Sequence, residues 1–566
     1  MTTPTPLHSP TGADDPWWRH AVIYQVYPRS WSDADGDGIG DLRGITDRLE
    51  YLADLGVDAI WFSPFYRSPM ADAGYDVADY RDIDPLFGTM ADYDALAAKA
   101  ADLGLRLIVD LVPNHSSVEH AWFQAALADG PGSEARARYI FRDGTGPDGS
   151  EPPNNWTSVF GGRAWTRVTE PDGTPGQWYL HLFDTGQPDF DWTNPQVHAE
   201  FESILRFWLE RGVAGFRVDV AHGLIKRAGL PPWDGPAETR DITGPTNAAP
   251  FWDQDEIHDI YRRWRALIDE YSTPGNERIM CAEAWVTPPE RAALYVRPDE
   301  FHQSFNFDYL YTPFEPAALR EVIAGSLALA DGYGAPTTWV LSNHDVVRHA
   351  TRYGYATTGR GALGIGPDDP QPDAALGLRR ARAATTLMLA LPGSAYVYQG
   401  EELGLPDHTT MPAEFRQDPT FHRTHGAVIG RDGCRVPLPW IKDAPAHGFG
   451  PGVSWLPQPA SYAELAVDQQ TGVKGSTLEL YRTLLRLRRE RSLGTGGLAW
   501  AEGFGDDVVA LVNTGAGDGA VTVVTNLGAE PVALPDGARV LVSSGDLTVD
   551  GAVPTDTSVW FTVGGA

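Results

Sequence analysis

The sequence predicts an α/β protein: a (β/α)8 barrel with an inserted subdomain after its third strand and an antiparallel β-sandwich at its C-terminus. Three observations predict it. A repeated unit, in which an apolar-striped helix stops at a glycine and an apolar strand follows, recurs at Gly56, Gly104 and Gly212. Acidic residues stand at the ends of those strands and of a later one, at Asp110, Asp219 and Glu283, where a barrel builds its active site. Beyond Leu493 the texture changes to short alternating runs at 508–512, 521–525, 539–542 and 559–563, separated by turns of Gly, Asp and Asn.

The first 16 residues are polar, with no basic and no apolar region, and read as a disordered tail rather than a signal peptide. The first barrel strand is expected over 21–27, ended by Pro28. After it, residues 33–41 place carboxylates at every second position with glycines between. Asp33, Asp35, Asp37 and Asp41, the backbone carbonyl of Ile39 and the glycine at the sixth position follow most of an EF-hand-like calcium loop. Its twelfth position, where a bidentate Glu belongs, is Gly44. The reading is a structural Ca2+ site, weighed against a solvated acidic turn.

A helix with Ile45, Leu49, Leu52 and Leu55 leads to the second strand at 57–63. A second, with Tyr93, Leu96, Ala100 and Leu103, leads to the third at 105–112, and Asn194-Pro195 opens the helix before the fourth. Gly56 and Gly104 lie 48 residues apart, Gly104 and Gly212 108 apart, so about 60 residues are inserted after the third strand. Later strands are expected at 278–283, 304–308, 337–342 and 394–399, which makes eight. The boundaries are therefore a tail at 1–16, the barrel at 17–115 and 194–493, the inserted subdomain at 116–193 and the sandwich at 494–566.

Composition narrows the function. Against 44 Lys and Arg stand 76 Asp and Glu, a net charge of −32, which argues against nucleic acid and anionic membranes as partners. No run approaches the roughly 18 apolar residues of a membrane span. The only cysteines, Cys281 and Cys434, sit in no metal-binding spacing and suit a reducing cytoplasm. A glycine pattern at 144–149 mimics a dinucleotide loop, but Pro147 and the lack of a strand before it exclude that use.

The fourth strand carries two charges in an apolar run, Gly215-Phe-Arg217-Val-Asp219-Val220. Period 2 sets Arg217 and Asp219 on the same side, where the guanidinium keeps the carboxylate ionised. That pair is either a nucleophile or a structural ion pair. The company it keeps favours chemistry: Asp110 through Asn114-His115 after the third strand, Glu283 at the end of the fifth and Asn343-His344-Asp345 after the seventh. Converging carboxylates with imidazoles suit acid–base and nucleophilic work on a neutral, hydroxyl-rich substrate.

Those segments, in that order, resemble the α-amylase family, glycoside hydrolase family 13, over nearly the whole chain. Residues 24–30, the 33–41 loop, 155–162 and 187–189 resemble its α-glucosidase and oligo-1,6-glucosidase branch. The resemblance implies that Asp219 is the nucleophile, Glu283 the general acid/base and Asp345 the carboxylate that grips sugar hydroxyls. It also implies that Tyr75, Asp76, His115, Arg217 and His344 line the pocket for the non-reducing glucose, that Arg431 closes it and that Phe160 stacks at its entrance. Val220, after the nucleophile, marks α-1,6 tolerance in that branch. The implied protein is a retaining, exo-acting α-glucosidase on short oligosaccharides with no organic cofactor. Transglucosylation, trehalose synthesis or sucrose chemistry on the same residues is the alternative. A silent amylase-like subunit is disfavoured by the intact carboxylates.

Overall fold

The computed structural model describes residues 6–12, 15–358, 363–515 and 520–563. The eight barrel strands are Val22–Val26, Ala59–Phe62, Arg106–Leu111, Gly215–Val218, Ile279–Ala282, Gln303–Ser304, Thr338–Val340 and Ser394–Tyr398, all parallel to their neighbours. In chain order they pair 6-5-4-3-2-1-8-7, and the Asn306 N–H closes the remaining gap by donating to the Thr338 carbonyl at 3.1 Å. The register sets Arg217 directly between Asp110 on one side and Cys281 on the other. Only glycine fits the start of the fourth strand, since a Cβ at Gly215 would sit 2.3 Å from the Ile279 carbonyl oxygen.

Helices follow the strands as the apolar spacing requires. Pro195–Glu210 is capped by Asn194, whose side chain accepts from the Gln196 N–H, and it buries Phe201, Leu205, Trp208 and Leu209 against the sheet. The helix expected as one piece after the 33–41 loop is two, Leu42–Asp47 and Leu49–Leu55. The inserted subdomain holds a helix, Ala121–Asp129, and a three-stranded antiparallel sheet of Phe141–Arg142, Pro175–Leu180 and Trp165–Thr169. No helix of the described residues is long and apolar enough to cross a membrane.

Three expectations change. The sixth strand, read at 304–308, is only Gln303–Ser304, because Asn306 caps a helix over Phe307–Tyr311 by accepting from the Tyr309 N–H. The C-terminal region is one six-stranded antiparallel sheet rather than two packed sheets. One face rests on the barrel helix Ala374–Met388, where the Trp560 indole donates to the Thr386 carbonyl at 2.8 Å. The other buries Val508, Ala510, Val524, Val559 and Phe561, with Val532, Leu534 and Leu547 packed against them. The tail is not all disordered either: Pro6–His8 adds the edge strand of that sheet, antiparallel to Leu498–Trp500, and His8 meets Asp331 at 2.8 Å. Residues 1–5, 13 and 14 of the expected tail lie outside the described residues.

Candidate active site

At the C-terminal mouth of the barrel one guanidinium organises three carboxylates. Arg217 Nη1 lies 2.9 Å from Asp110 Oδ1 and 2.6 Å from Asp219 Oδ1, and Nη2 lies 3.0 Å from Glu283 Oε2. Asp110 also accepts from the Tyr75 hydroxyl at 3.0 Å and the Trp61 indole at 3.2 Å. All four charged groups are buried, so the carboxylates depend on that single cation and on hydrogen bonds. Burial pushes the Asp110 carboxyl up to about 7 against the pull of Arg217. Burial likewise lifts Asp219 well above the ordinary range; Arg217 opposes the rise and Glu283 and Asp110 add to it.

Glu283 is held from three sides. Its Oε2 accepts from the Val220 N–H at 2.9 Å and is ion-paired with Arg217, and its Oε1 accepts from the Trp285 indole at 2.8 Å. Val220 reaches it through a left-handed backbone, φ +44°, a conformation that costs a β-branched residue of the order of 1–3 kcal/mol. The strand ends at Val218, and the next two residues turn so that one presents a carboxylate and the other an N–H.

A second network shuts one end of the cavity. Arg431 spans Asp345 Oδ1 at 3.0 Å, Asp72 Oδ1 at 2.9 Å and Asp418 Oδ2 at 2.6 Å, and Arg435 adds a contact to Asp345 Oδ1 at 3.0 Å. Burial alone would raise Asp345, but His344, Arg431 and Arg435 hold its carboxyl well below the ordinary range. His344 takes its Nδ1 bond from the Gln25 amide at 2.6 Å and turns Nε2 to the Tyr75 hydroxyl at 2.7 Å and Asp345 at 3.2 Å. Burial keeps that imidazole neutral, which makes Nε2 the protonated nitrogen and leaves Tyr75 free to donate to Asp110.

The cavity between these networks measures about 120 Å3 and is walled by Asp72, Tyr75, His115, Phe160, Asp219, Val220, Glu283, Trp285, Asp345 and Arg431 among others. Arg217 and His344, expected in the lining, lie beneath it and act through the carboxylates they hold. His115 bonds Asn114, Gln187 and the Tyr75 carbonyl and stays neutral, burial pushing it down to about 3. Phe160 packs edge-on to Phe183 at 5.5 Å and lies 5.2 Å from the Arg431 guanidinium.

Asp76 is a correction. It is wholly buried and does not line the cavity. Its carboxylate accepts from the Ser68 hydroxyl and the Ala71 and Asp72 N–H groups, which folds the loop around it. The pocket carboxylate of this loop is Asp72, which the sequence reading passed over; the signal was its place four residues earlier, before the Tyr75 turn. Trp285, Asp418 and Arg435 were also missed.

Away from the site, the 33–41 loop brings the carboxylates of Asp33, Asp35 and Asp37 within 4.8 Å of one another. Asp41 is not in that group; it accepts from the Ala34 N–H and caps the following helix through Gly44 N–H. A Glu at position 44 is impossible here, since a Cβ would meet the Ser32 carbonyl oxygen at 2.0 Å.

Comparison with known proteins places this architecture. Residues 25–496 match the family model described as alpha amylase, catalytic domain. A probable alpha-glucosidase of Rhizobium meliloti is 39% identical over 508 residues, covering 86% of each chain. Maltase 1 of Drosophila virilis is 36% identical, over 92% of this chain and 80% of its own. The crystal structure of an alpha-glucosyl transfer enzyme superposes with a TM-score of 0.82 at 36% identity, over 97% of this chain and 99% of that one. With a model matched from the first barrel strand to the last barrel helix and the acids of that barrel gathered on one arginine, the chain belongs to the α-amylase family, glycoside hydrolase family 13.

Proposed function

We propose that the protein is a retaining, exo-acting α-glucosidase that releases glucose from the non-reducing end of short α-1,4- and α-1,6-glucosides. The observation that carries this reading is Arg217, which holds Asp219 and Glu283 on its two terminal nitrogens at the floor of a blind cavity. Two carboxyls facing one cavity supply the nucleophile and the acid that double displacement needs. Asp219 forms a bond to the anomeric carbon while Glu283 gives its proton to the departing glycosidic oxygen. Water then attacks the same carbon, Glu283 takes its proton and Asp219 leaves with the electron pair, so the configuration is retained. Asp345 and Asp72, kept in place by Arg431, hold the hydroxyls of the glucose ring. Arg431, Asp72 and Asp345 wall the cavity as one ion-paired network, which suits a pocket that takes the end of a chain.

Transfer to a second sugar instead of water is the competing reading, favoured by the likeness to a glucosyl transfer enzyme. We also assign Asp33, Asp35, Asp37 and the Ile39 carbonyl as ligands of one Ca2+, which would neutralise a cluster in which burial already raises Asp33. The two cysteines are unpaired and buried, which suits a cytoplasmic protein. The experiment is a 5-fluoro glucosyl trap on maltose-hydrolysing enzyme, with peptide mapping and the anomer formed first read by NMR. A label on Asp219 and an α-product are expected; a β-product or a label elsewhere overturns the reading.

A further inference from the structure

Resting on the assignment of Glu283 as the general acid/base, we infer that Trp285 is a positioning residue that fixes which lone pair of Glu283 Oε1 carries the catalytic proton. Glu283 Oε2 accepts from the Val220 N–H at 2.9 Å and faces the positive charge of Arg217, whose Nη2 lies 3.0 Å away. A proton on Oε2 would give up the charge facing that guanidinium at 3.0 Å, so the oxygen beside the cation stays the unprotonated one. Oε1 accepts once, from the Trp285 indole N–H at 2.8 Å, and keeps one lone pair. The acid proton therefore sits on Oε1, and the indole N–H fixes which of its two lone pairs remains for it.

The indole is itself held. Its ring lies flat on Phe307, centroids 3.4 Å apart and 8° from parallel, with Tyr311 at 5.6 Å. Those two rings belong to the short helix that replaces the end of the sixth strand, so that helix reaches the chemistry through Trp285. The indole also lines the cavity, where a leaving sugar would pass. During glycosylation the proton leaves Oε1 for the glycosidic oxygen as the anomeric C–O bond breaks and Asp219 bonds to carbon. The indole N–H then strengthens its bond to the new negative charge. During hydrolysis the proton of water returns to Oε1, and the same bond weakens.

Trp285 thus favours the ionised form of Glu283. Arg217 acts in the same direction, whereas Asp110 and Asp219 oppose it; the other titratable groups facing it are His222, kept neutral with burial pushing it down to about 3, and the thiol of Cys281, kept protonated with burial pushing it up to about 12. Trp285→Phe keeps an aromatic ring on Phe307 and removes the N–H together with part of the indole's bulk. The alkaline limb of kcat/KM for maltose is expected to move up by about one pH unit, equivalent to about 1.4 kcal/mol. Maltose turnover at the optimum is expected to fall roughly tenfold or more, and turnover of p-nitrophenyl α-glucoside, which needs little acid help, by less than about threefold. Trp285→Ala should show the same shift of the limb with a larger loss of Tm. If the limb of Trp285→Phe stays where it is in the wild type, or both substrates fall equally, the inference is wrong. Glu283→Gln, run beside it, separates the two failures: equal losses on both substrates in that variant overturn the role of Glu283 itself.

Discussion

Asp72 and Asp76 stand in one loop, and replacing each carboxylate by its isosteric amide separates what they do. In Asp72→Asn the Arg431 guanidinium loses a charge partner at 2.9 Å, and the Gln187 amide loses its acceptor at 3.2 Å. Breaking one partner out of a buried charge pair costs about 2–5 kcal/mol. Arg431 keeps Asp345 and Asp418, which sets the loss toward the lower end, about 3 kcal/mol or roughly 150-fold in kcat/KM. In Asp76→Asn one carboxylate oxygen keeps the Ser68 and Asp72 donors, but the new NH2 faces the Ala71 N–H. One buried donor is then left without a partner, at about 1–3 kcal/mol of folding stability. The expected pattern is a large fall in kcat/KM with little change in Tm for Asp72→Asn, and a clear fall in Tm with less than about tenfold loss in kcat/KM for Asp76→Asn. Maltose kinetics and thermal melts at the same pH measure both. A greater kinetic loss from Asp76→Asn would refute the reassignment.

Removing divalent cations with a chelator is expected to lower Tm and leave the chemical step unchanged at moderate temperature, with Ca2+ restoring it; a calcium titration that moves nothing removes the assignment of the 33–41 loop. Val220→Ala is expected to raise maltose turnover relative to isomaltose by about 1–3 kcal/mol in the ratio, since a stiff β-branched side chain crowds a ring held close by an α-1,4 bond; an unchanged ratio means that linkage is read elsewhere. Acid should unfold the protein steeply. His115, His120, His181, His222, His302, His344 and His349 are all held below their ordinary range by burial, so the stability they lend is full above the unfolded value of about 6.5 and is lost as pH falls. Each adds about 1.4 kcal/mol per pH unit to that slope. Asp110 and Glu401, raised by burial to about 7 and 8, act with the opposite sign, and their share is lost as pH rises through those values. A Tm maximum where the two opposed slopes cancel, near pH 6 to 7, is expected from melts across pH; a flat profile below it contradicts the account.

The barrel was legible because its signals are local. A glycine ending an apolar helix, then an apolar strand, needs no tertiary information, and the acids at the strand ends follow once the strands are counted. The site residues that were missed are the ones whose direction depends on a turn. Asp72 and Asp76 flank the same Gly74-Tyr75 pair, and only the hydrogen bonds from Ser68 and Ala71 decide that Asp76 faces inward. Residues 304–308 carry strand-like aromatics, yet a single Asn cap turns their end into a helix. The strand Pro6–His8 is invisible in a polar segment because the edge it pairs with lies almost five hundred residues away. Gly44 looked like a defect in a calcium loop and is a steric necessity beside Ser32.

The left-handed backbone of Val220 has a consequence for anyone wishing to redesign this enzyme. Its side chain lines the cavity and its amide holds Glu283, so under the proposed function the sugar site and the acid meet at a single residue. Substituting glycine would relieve the unfavourable φ and, at the same time, loosen the amide that the strain keeps aimed. Evolution of linkage preference at this position is then confined to side chains that tolerate the same backbone, and a proline there would remove the N–H altogether. Selection on what the enzyme cuts and selection on how fast it cuts cannot proceed independently through this residue.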